Sequence, residues 1–290
     1  MKRRQIMYYG GASVLAATST LLTSQWQKAQ GQTSASNSLF VQYLGHTCFL
    51  LTGSGLRILV NPFRALGCTA GYRLPKVEAD LVLISSQLWD EGAAENLPGN
   101  PRILYEPGVY EIRGFKIQGI GIAHDRNGGR RFGTNVAWRW NQGGISILHL
   151  GGAAAPIAIE QKILMGSPDL AFVPVGGGPK AYNPQEAKQA MEILRPRMLI
   201  PTQYLTTAAD QSACEIVSVD NFLKLVEGMN VRFIANNQLT VRRQDLPKEG
   251  TLIRVLDYKQ VLKPASERNT PAATTTTPSI TTENAPNSAN

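Results

Sequence analysis

The sequence predicts a mixed α/β fold in which two sheets pack face to face and helices cover the outside. Three observations carry that prediction. The first half of the chain is a succession of short β-type runs separated by turn residues. One of them, Asp80–Ile84, is a continuous apolar run of the kind found in strands buried on both faces. From Asn135 onward, strand-like runs alternate with amphipathic helical patterns, as expected where helices pack on a sheet. With 290 residues, 43% of them hydrophobic and 17% charged, the chain is long and apolar enough for a sizeable core, which excludes collagen-like, coiled-coil and wholly disordered classes.

The predicted strands follow in order. Phe40–Leu44, Cys48–Thr52 and Leu56–Val60 come first, with Gly53-Ser-Gly55 as the second turn and Asn61-Pro62 as the stop. Asp80–Ile84, Arg102–Tyr105, Tyr110–Ile112 and Phe115–Ile122 extend the series. Val136–Trp140 and Ile145–Leu150 flank Asn141-Gln-Gly-Gly144, a hairpin signal. Leu170–Val175, Met198–Ile200, Val231–Ile234 and Leu239–Arg242 complete the set. Helices are expected at Ile157–Met165, Pro184–Leu194 and Val219–Val226. The second has Asn183 as N-cap and places Ala187, Ala190, Met191 and Leu194 on one face.

The ends of the chain read differently. Residues 1–31 combine Arg3-Arg4, the uncharged apolar stretch Ala12–Leu22 and a small-residue cleavage site at Ala29-Gln-Gly31, and resemble a twin-arginine export signal. The expectation is export to a periplasm or thylakoid lumen, with no stable membrane span once the signal is cleaved and a membrane tether if it is not. Residues 264–290 are rich in Thr, Pro and Ala and read as a disordered tail, which leaves 32–263 as the folded domain. The net charge of +8 is partly the signal's: without Lys2, Arg3, Arg4 and Lys28, 25 basic residues stand against 21 acidic ones. That balance gives no nucleic-acid signature. Cys48, Cys68 and Cys214 are too few for a disulfide scaffold. One bridge is open to them, and buried free thiols are the expectation.

Several motifs then occur in a telling order. Leu44-Gly-His46-Thr-Cys-Phe-Leu-Leu precedes Ile58-Leu-Val-Asn61-Pro-Phe63; His124-Asp125 and Gly133-Thr-Asn135 come before Leu148-His149-Leu-Gly151-Gly152. Val173-Pro-Val-Gly-Gly177, Glu186-Ala187 and Leu199-Ile-Pro-Thr-Gln203-Tyr204 follow. Over roughly Phe40 to Leu225 the chain resembles the metallo-β-lactamase superfamily, in the branch of ascorbate-6-phosphate lactonase and its small relatives. The resemblance implies a four-layer αββα sandwich with an active site at one edge between the sheets, normally holding two metal ions.

The same resemblance assigns seven ligand positions. Ser86 and Leu88 stand where two histidines are expected, Asp90 matches, and Glu91 replaces a third histidine. His124 matches the next ligand. Gly152 stands for the bridging aspartate and Gln203 for the last histidine. A catalytic zinc needs about three protein ligands, so this set excludes the usual two-zinc centre and its shared hydroxide. Asp90, Glu91, His124 and Gln203 are the candidate ligands that remain, an oxygen-rich set suited to Mg²⁺, Mn²⁺ or Ca²⁺.

Each has a plainer reading. Asp90 and Glu91 would cap a helix beginning near Gly92, and His124-Asp125 would hold Arg130 or Arg131 in a loop. His46 reads as a supporting residue and His149 as packing between the sheets. Gly176-Gly-Gly-Pro179 reads as a tight turn, since it lacks the lysine and hydroxyl of a phosphate loop. A serine hydrolase on Ser85 or Ser86, with His124 as base and Asp90 as orienting acid, is a further scheme. Arg126, Arg130 and Arg131 would give the rim a positive field.

Two functions are thus expected from the sequence. The favoured one is an exported binding or interaction module that has lost the dinuclear chemistry, holds no cofactor, and takes a small anionic molecule or a protein partner. The alternative is a lactone or phosphoester hydrolase with one divalent metal ion.

Overall fold

A computed structural model describes residues 37–268. The segment read as an export signal and all but the first five residues of the expected tail lie outside them. Alternation of apolar residues fixes the architecture. In β10 (Leu170–Pro174) Leu170 and Phe172 enter the core between two sheets, while Ala171 and Val173 enter the core beneath the helices. A strand with both faces covered in this way is apolar throughout.

The strands before it are β1 (Ser38–Gly45), β2 (Cys48–Gly53), β3 (Leu56–Val60), β4 (Leu81–Leu83), β5 (Arg102–Leu104), β6 (Gly108–Ile112), β7 (Phe115–Ala123), β8 (Thr134–Gln142) and β9 (Ile145–His149). After it come β11 (Met198–Thr202), β12 (Asn230–Ile234), β13 (Gln238–Arg242) and β14 (Leu252–Leu256). One sheet has the order β13-β1-β2-β3-β4-β5 and the other β12-β14-β11-β10-β9-β8-β7-β6. Leu39, Val41, Phe49, Leu51 and Ile58 of the first meet Trp138, Trp140, Ile147 and Phe172 of the second in the central core.

Helices α1 (Ile159–Met165), α2 (Pro184–Leu194) and α3 (Val219–Leu225) cover the larger sheet. Asn183 caps α2 by accepting from the Glu186 N–H, while Glu186 accepts from the Asn183 N–H. Ala187, Ala190, Met191 and Leu194 form its buried face, as the sequence predicts. Over the smaller sheet the cover is loop, the 3₁₀ turns Gly67–Thr69 and Lys259–Val261, and the apolar cluster of Leu59, Phe63, Tyr72 and Val82. The mixed α/β two-sheet sandwich is as expected.

Three details differ from expectation. Strand β14 was not predicted, because Arg254 interrupts its apolar run; the guanidinium is satisfied by the Asn230 and Ile253 carbonyls. A short helix α4 (Ala265–Arg268) begins inside the segment read as tail. Cys68 and Cys214 are joined in a disulfide and only Cys48 is a buried free thiol. The bridge ties the 3₁₀ turn after β3 to the loop after β11.

Candidate active site

β1, β3 and β4 run parallel in one sheet and β7, β9, β10 and β11 in the other, and hydrogen bonds from the Val136 N–H to the Ser85 carbonyl and from the Gln203 N–H to the His46 carbonyl join the ends of the two sets at one edge. The loops that leave those ends form the candidate site. Asn61 and Asn135, both in the quoted motifs, fasten them. The Ser85 N–H donates to Asn61 Oδ1 (2.8 Å), the Gly152 N–H donates to Asn135 Oδ1 (2.9 Å), and Asn135 Nδ2 donates to the Leu150 carbonyl. Ser86, Glu91, His124 and Gly152 are thereby brought together.

Glu91 and His124 are fully buried. Ser86 Oγ donates to Glu91 Oε2 (2.9 Å), and His124 Nε2 lies 3.6 Å from the same oxygen, longer than a hydrogen bond. Glu91 Oε1 and both His124 ring nitrogens have no hydrogen-bond partner. A Cβ placed on Gly152 would lie 2.5 Å from Glu91 Oε1 and 2.5 Å from His124 Nε2. Glycine at 152 therefore makes room for the Glu91 carboxylate. Burial, followed by repulsion from Asp90, pushes the Glu91 pKa up to about 7. Burial, followed by the charge of Lys180, lowers that of His124 to about 4, so its imidazole is neutral at pH 7.

Asp90 belongs to a second, partly exposed group. Lys180 Nζ donates to both of its oxygens at 2.5 Å, and the buried His46 places Nε2 at 3.6 Å from Oδ2. Burial works to raise the Asp90 pKa, but His46 and the Lys180 ammonium outweigh it and hold the carboxyl well below its ordinary value. Gln203 is buried on the far side of His46. Its N–H donates to the His46 carbonyl (3.2 Å), its φ is 51°, and its Oε1 has no partner.

Several expectations are corrected by this geometry. No helix begins near Gly92; Asp90 and Glu91 lie in a turn in which the Leu88 carbonyl accepts from the Glu91 and Gly92 N–H groups. Asp125 grips the backbone N–H groups of Asn127, Gly129, Arg131 and Phe132 rather than an arginine side chain. Arg126 is not a free rim charge, since it binds Glu186 and the Gly178 and Ala181 carbonyls. The serine-hydrolase arrangement is not formed: Ser86 donates to Glu91, and Asp90 faces Lys180 and His46 instead of His124. His149 packs as expected, stacked on Phe172 with Nε2 on the Thr47 carbonyl.

The donor set can be tested against a metal. Two ions do not fit. Leu88 and Gly152 offer no donor, the Asp90 oxygens are bound by an ammonium, and among the described residues no three His, Cys, Asp or Glu side chains converge. A single divalent ion would find two protein donors at Glu91 and His124. There a carboxylate oxygen and an imidazole nitrogen are buried without partners, and such an ion completes its shell with hydroxyl or water oxygens.

The model of the beta-lactamase superfamily domain matches residues 40–203. This chain belongs to that superfamily. A metal-dependent hydrolase of Thermococcus onnurineus is 31% identical over 191 residues, covering 57% of this chain and 84% of the relative. One from Thermus thermophilus is 27% identical over 195 residues, with the same coverage. A solved metallo-β-lactamase superfamily protein of Thermotoga maritima aligns with a TM-score of 0.60 at 27% identity, over 76% of this chain and 100% of that one. A metallo hydrolase of Ignicoccus hospitalis shares the fold at 16% identity and a TM-score of 0.53, over 71% of this chain and 99% of its own. The superfamily read from the motifs is therefore established for this chain, whose named relatives are metal-dependent hydrolases.

Lys180 is the residue that sequence reasoning missed. It follows Gly176-Gly-Gly-Pro179, the tight turn after β10, and a cation delivered by a glycine turn to the carboxyl edge of a parallel sheet is the signal that could have found it.

Proposed function

We propose that this chain is a metal-dependent hydrolase of lactones or phosphoesters that works with one divalent ion at Glu91 and His124. The observation that carries the reading is the pair of buried, unpartnered donors, Glu91 Oε1 and His124 Nε2, which come together over Gly152 where a side chain would exclude them. The names of the relatives support it.

An ion bound there supplies a Lewis acid and an activated water. Glu91, whose pKa is about 7 without an ion, would give up its proton at Oε1 to coordinate one, while Ser86 Oγ donates to Oε2. The neutral His124 imidazole offers a lone pair. Trp89, the chain neighbour of Asp90, is 59% exposed and borders a cavity of about 540 Å³ lined by Phe63, Leu66, Leu74 and Leu97, with Arg64 and Lys76 at its rim. Arg64 is paired with Glu95 of the same lining and stacks on Trp89, so the cavity suits a substrate with an apolar body. The Cys68–Cys214 bridge supports an oxidising compartment reached by export.

A second reading, a binding module without hydrolytic chemistry, is favoured by Lys180 on Asp90 and by the absence of a carboxylate at Gly152. Elemental analysis after loading with Mn²⁺, Mg²⁺, Zn²⁺ or Ca²⁺ and desalting separates the two. About one ion per chain, lost in Glu91→Ala and His124→Ala together with metal-stimulated hydrolysis of lactones or phosphoesters, is expected. A metal-free chain without hydrolysis would establish the second reading.

A further inference from the structure

The Asp90 half of the site has the makings of a cation site of its own. Asp90 presents two carboxylate oxygens, and His46, 2% exposed, points an unpartnered Nε2 at one of them from 3.6 Å. Carboxylate and imidazole are donors of the type that divalent ions take. The charge that meets them belongs to the protein, because Lys180 Nζ bonds both Asp90 oxygens.

Lys180 is also held in place. Arg126 donates to the Gly178 and Ala181 carbonyls on either side of it and is itself locked to Glu186. The Lys180 carbonyl packs against Gly152, 3.0 Å from where a Cβ would stand. The ammonium is thus delivered by a braced turn and is no surface lysine that strayed onto a carboxylate.

We infer that the Lys180 ammonium is a built-in substitute for a divalent ion, and that Asp90 and His46 form a latent metal site which this lysine keeps closed. A point charge of +1 with three donors satisfies Asp90 and asks no other ligand of the protein. This explains why His46 Nε2 is left without a hydrogen bond. The inference does not need an ion at Glu91 and His124; it concerns the neighbouring charge.

The test compares the full folded domain as wild type, Lys180→Met and Lys180→Met/Asp90→Asn. Each is loaded with Mn²⁺ or Zn²⁺, desalted and measured for bound metal and for the shift in Tm that the metal causes. Lys180→Met is expected to bind one ion per chain more than wild type and to gain Tm on metal addition, and the double variant to lose both gains. Should Lys180→Met fold only with metal present, the inference is supported directly. Should it not fold at all, Lys180→Ala, which places no donor on Asp90, carries the same comparison. Equal metal content in wild type and in whichever lysine variant folds would overturn the inference. The increment is independent of the wild-type value, so a metal-free wild type would defeat the proposed hydrolase while leaving this result interpretable.

Discussion

Lys180 Nζ donates to both carboxylate oxygens of Asp90, a residue 90 positions earlier in the chain, and joins the loop after β10 to the loop after β4. Their side chains are 22% and 18% exposed, so each charge is largely withdrawn from water and depends on the other. Removing one partner leaves an uncompensated charge, which costs about 3–5 kcal/mol at fully buried sites; partial exposure lowers this to about 2–3 kcal/mol here. Lys180→Ala without added metal is therefore expected to lose stability of that size in urea denaturation. Asp90→Asn/Lys180→Ala is expected to lose less than the sum of Asp90→Asn alone and Lys180→Ala alone. Additive losses would mean that the pair is not coupled.

Gly152 and Glu91 compete for one volume. Gly152→Ala puts a methyl 2.5 Å from Glu91 Oε1 and His124 Nε2, and both sit in a buried, tightly packed surround. Overpacking of this kind typically costs about 1–3 kcal/mol. In a Glu91→Ala background the contact with Oε1 is gone and only that with His124 Nε2 remains, beside space into which the imidazole can shift, so the added methyl is expected to cost less than in wild type. A double-mutant cycle by chemical denaturation measures the difference. An equal cost in both backgrounds would show that the Glu91 carboxylate does not lie over Gly152.

The fold was legible because periodicity writes it twice: Leu170 and Phe172 face one core and Ala171 and Val173 the other, and the same alternation runs through β1 to β4. The motif residues Asn61, Asn135 and Gly152 were legible as a pattern, but their work as fasteners and clearance needed coordinates. Asp90, Glu91, His124 and Gln203 lie at one edge, yet local sequence could not divide them into a Glu91–His124 group and an Asp90–His46–Lys180 group. That division depends on Lys180, which comes from a different strand end. The Cys68–Cys214 pairing was equally hidden, since 146 residues separate partners that lie on neighbouring loops.

That bridge closes a long loop, and loop-closure arguments assign such a link about 2–5 kcal/mol. Cys68→Ser/Cys214→Ser is expected to lower stability by that amount in urea denaturation. Wild type is expected to lose the same amount under dithiothreitol, while the double variant is indifferent to reductant. Because the bridge fastens the turn bordering the cavity beside Trp89, proteolysis between residues 64 and 76 is expected to quicken on reduction. Unchanged cleavage would show that the loop is held without the bridge.

The pH dependence of stability follows from three buried groups of opposite sign. Burial lowers His149 to about 3 and His124 to about 4 from an ordinary 6.5, so below pH 6.5 the unfolded chain binds two protons that the fold refuses. Their contribution is present above 6.5 and is lost as pH falls. Glu91, raised to about 7 from 4.5, binds its proton in the fold first, so its contribution is full below 4.5 and is lost as pH rises through 7. Between 6.5 and 4.5 the unfolded chain thus gains one proton net, and stability is expected to fall by about 1.4 kcal/mol per pH unit on acidification. Glu91→Gln removes the opposing group and is expected to double that slope, whereas His149→Asn is expected to flatten it. Urea denaturation of the metal-free protein at half-unit steps from pH 7 to 4.5 reads all three slopes. An unchanged slope in Glu91→Gln would show that this carboxyl is already ionised in the folded, metal-free protein at pH 5.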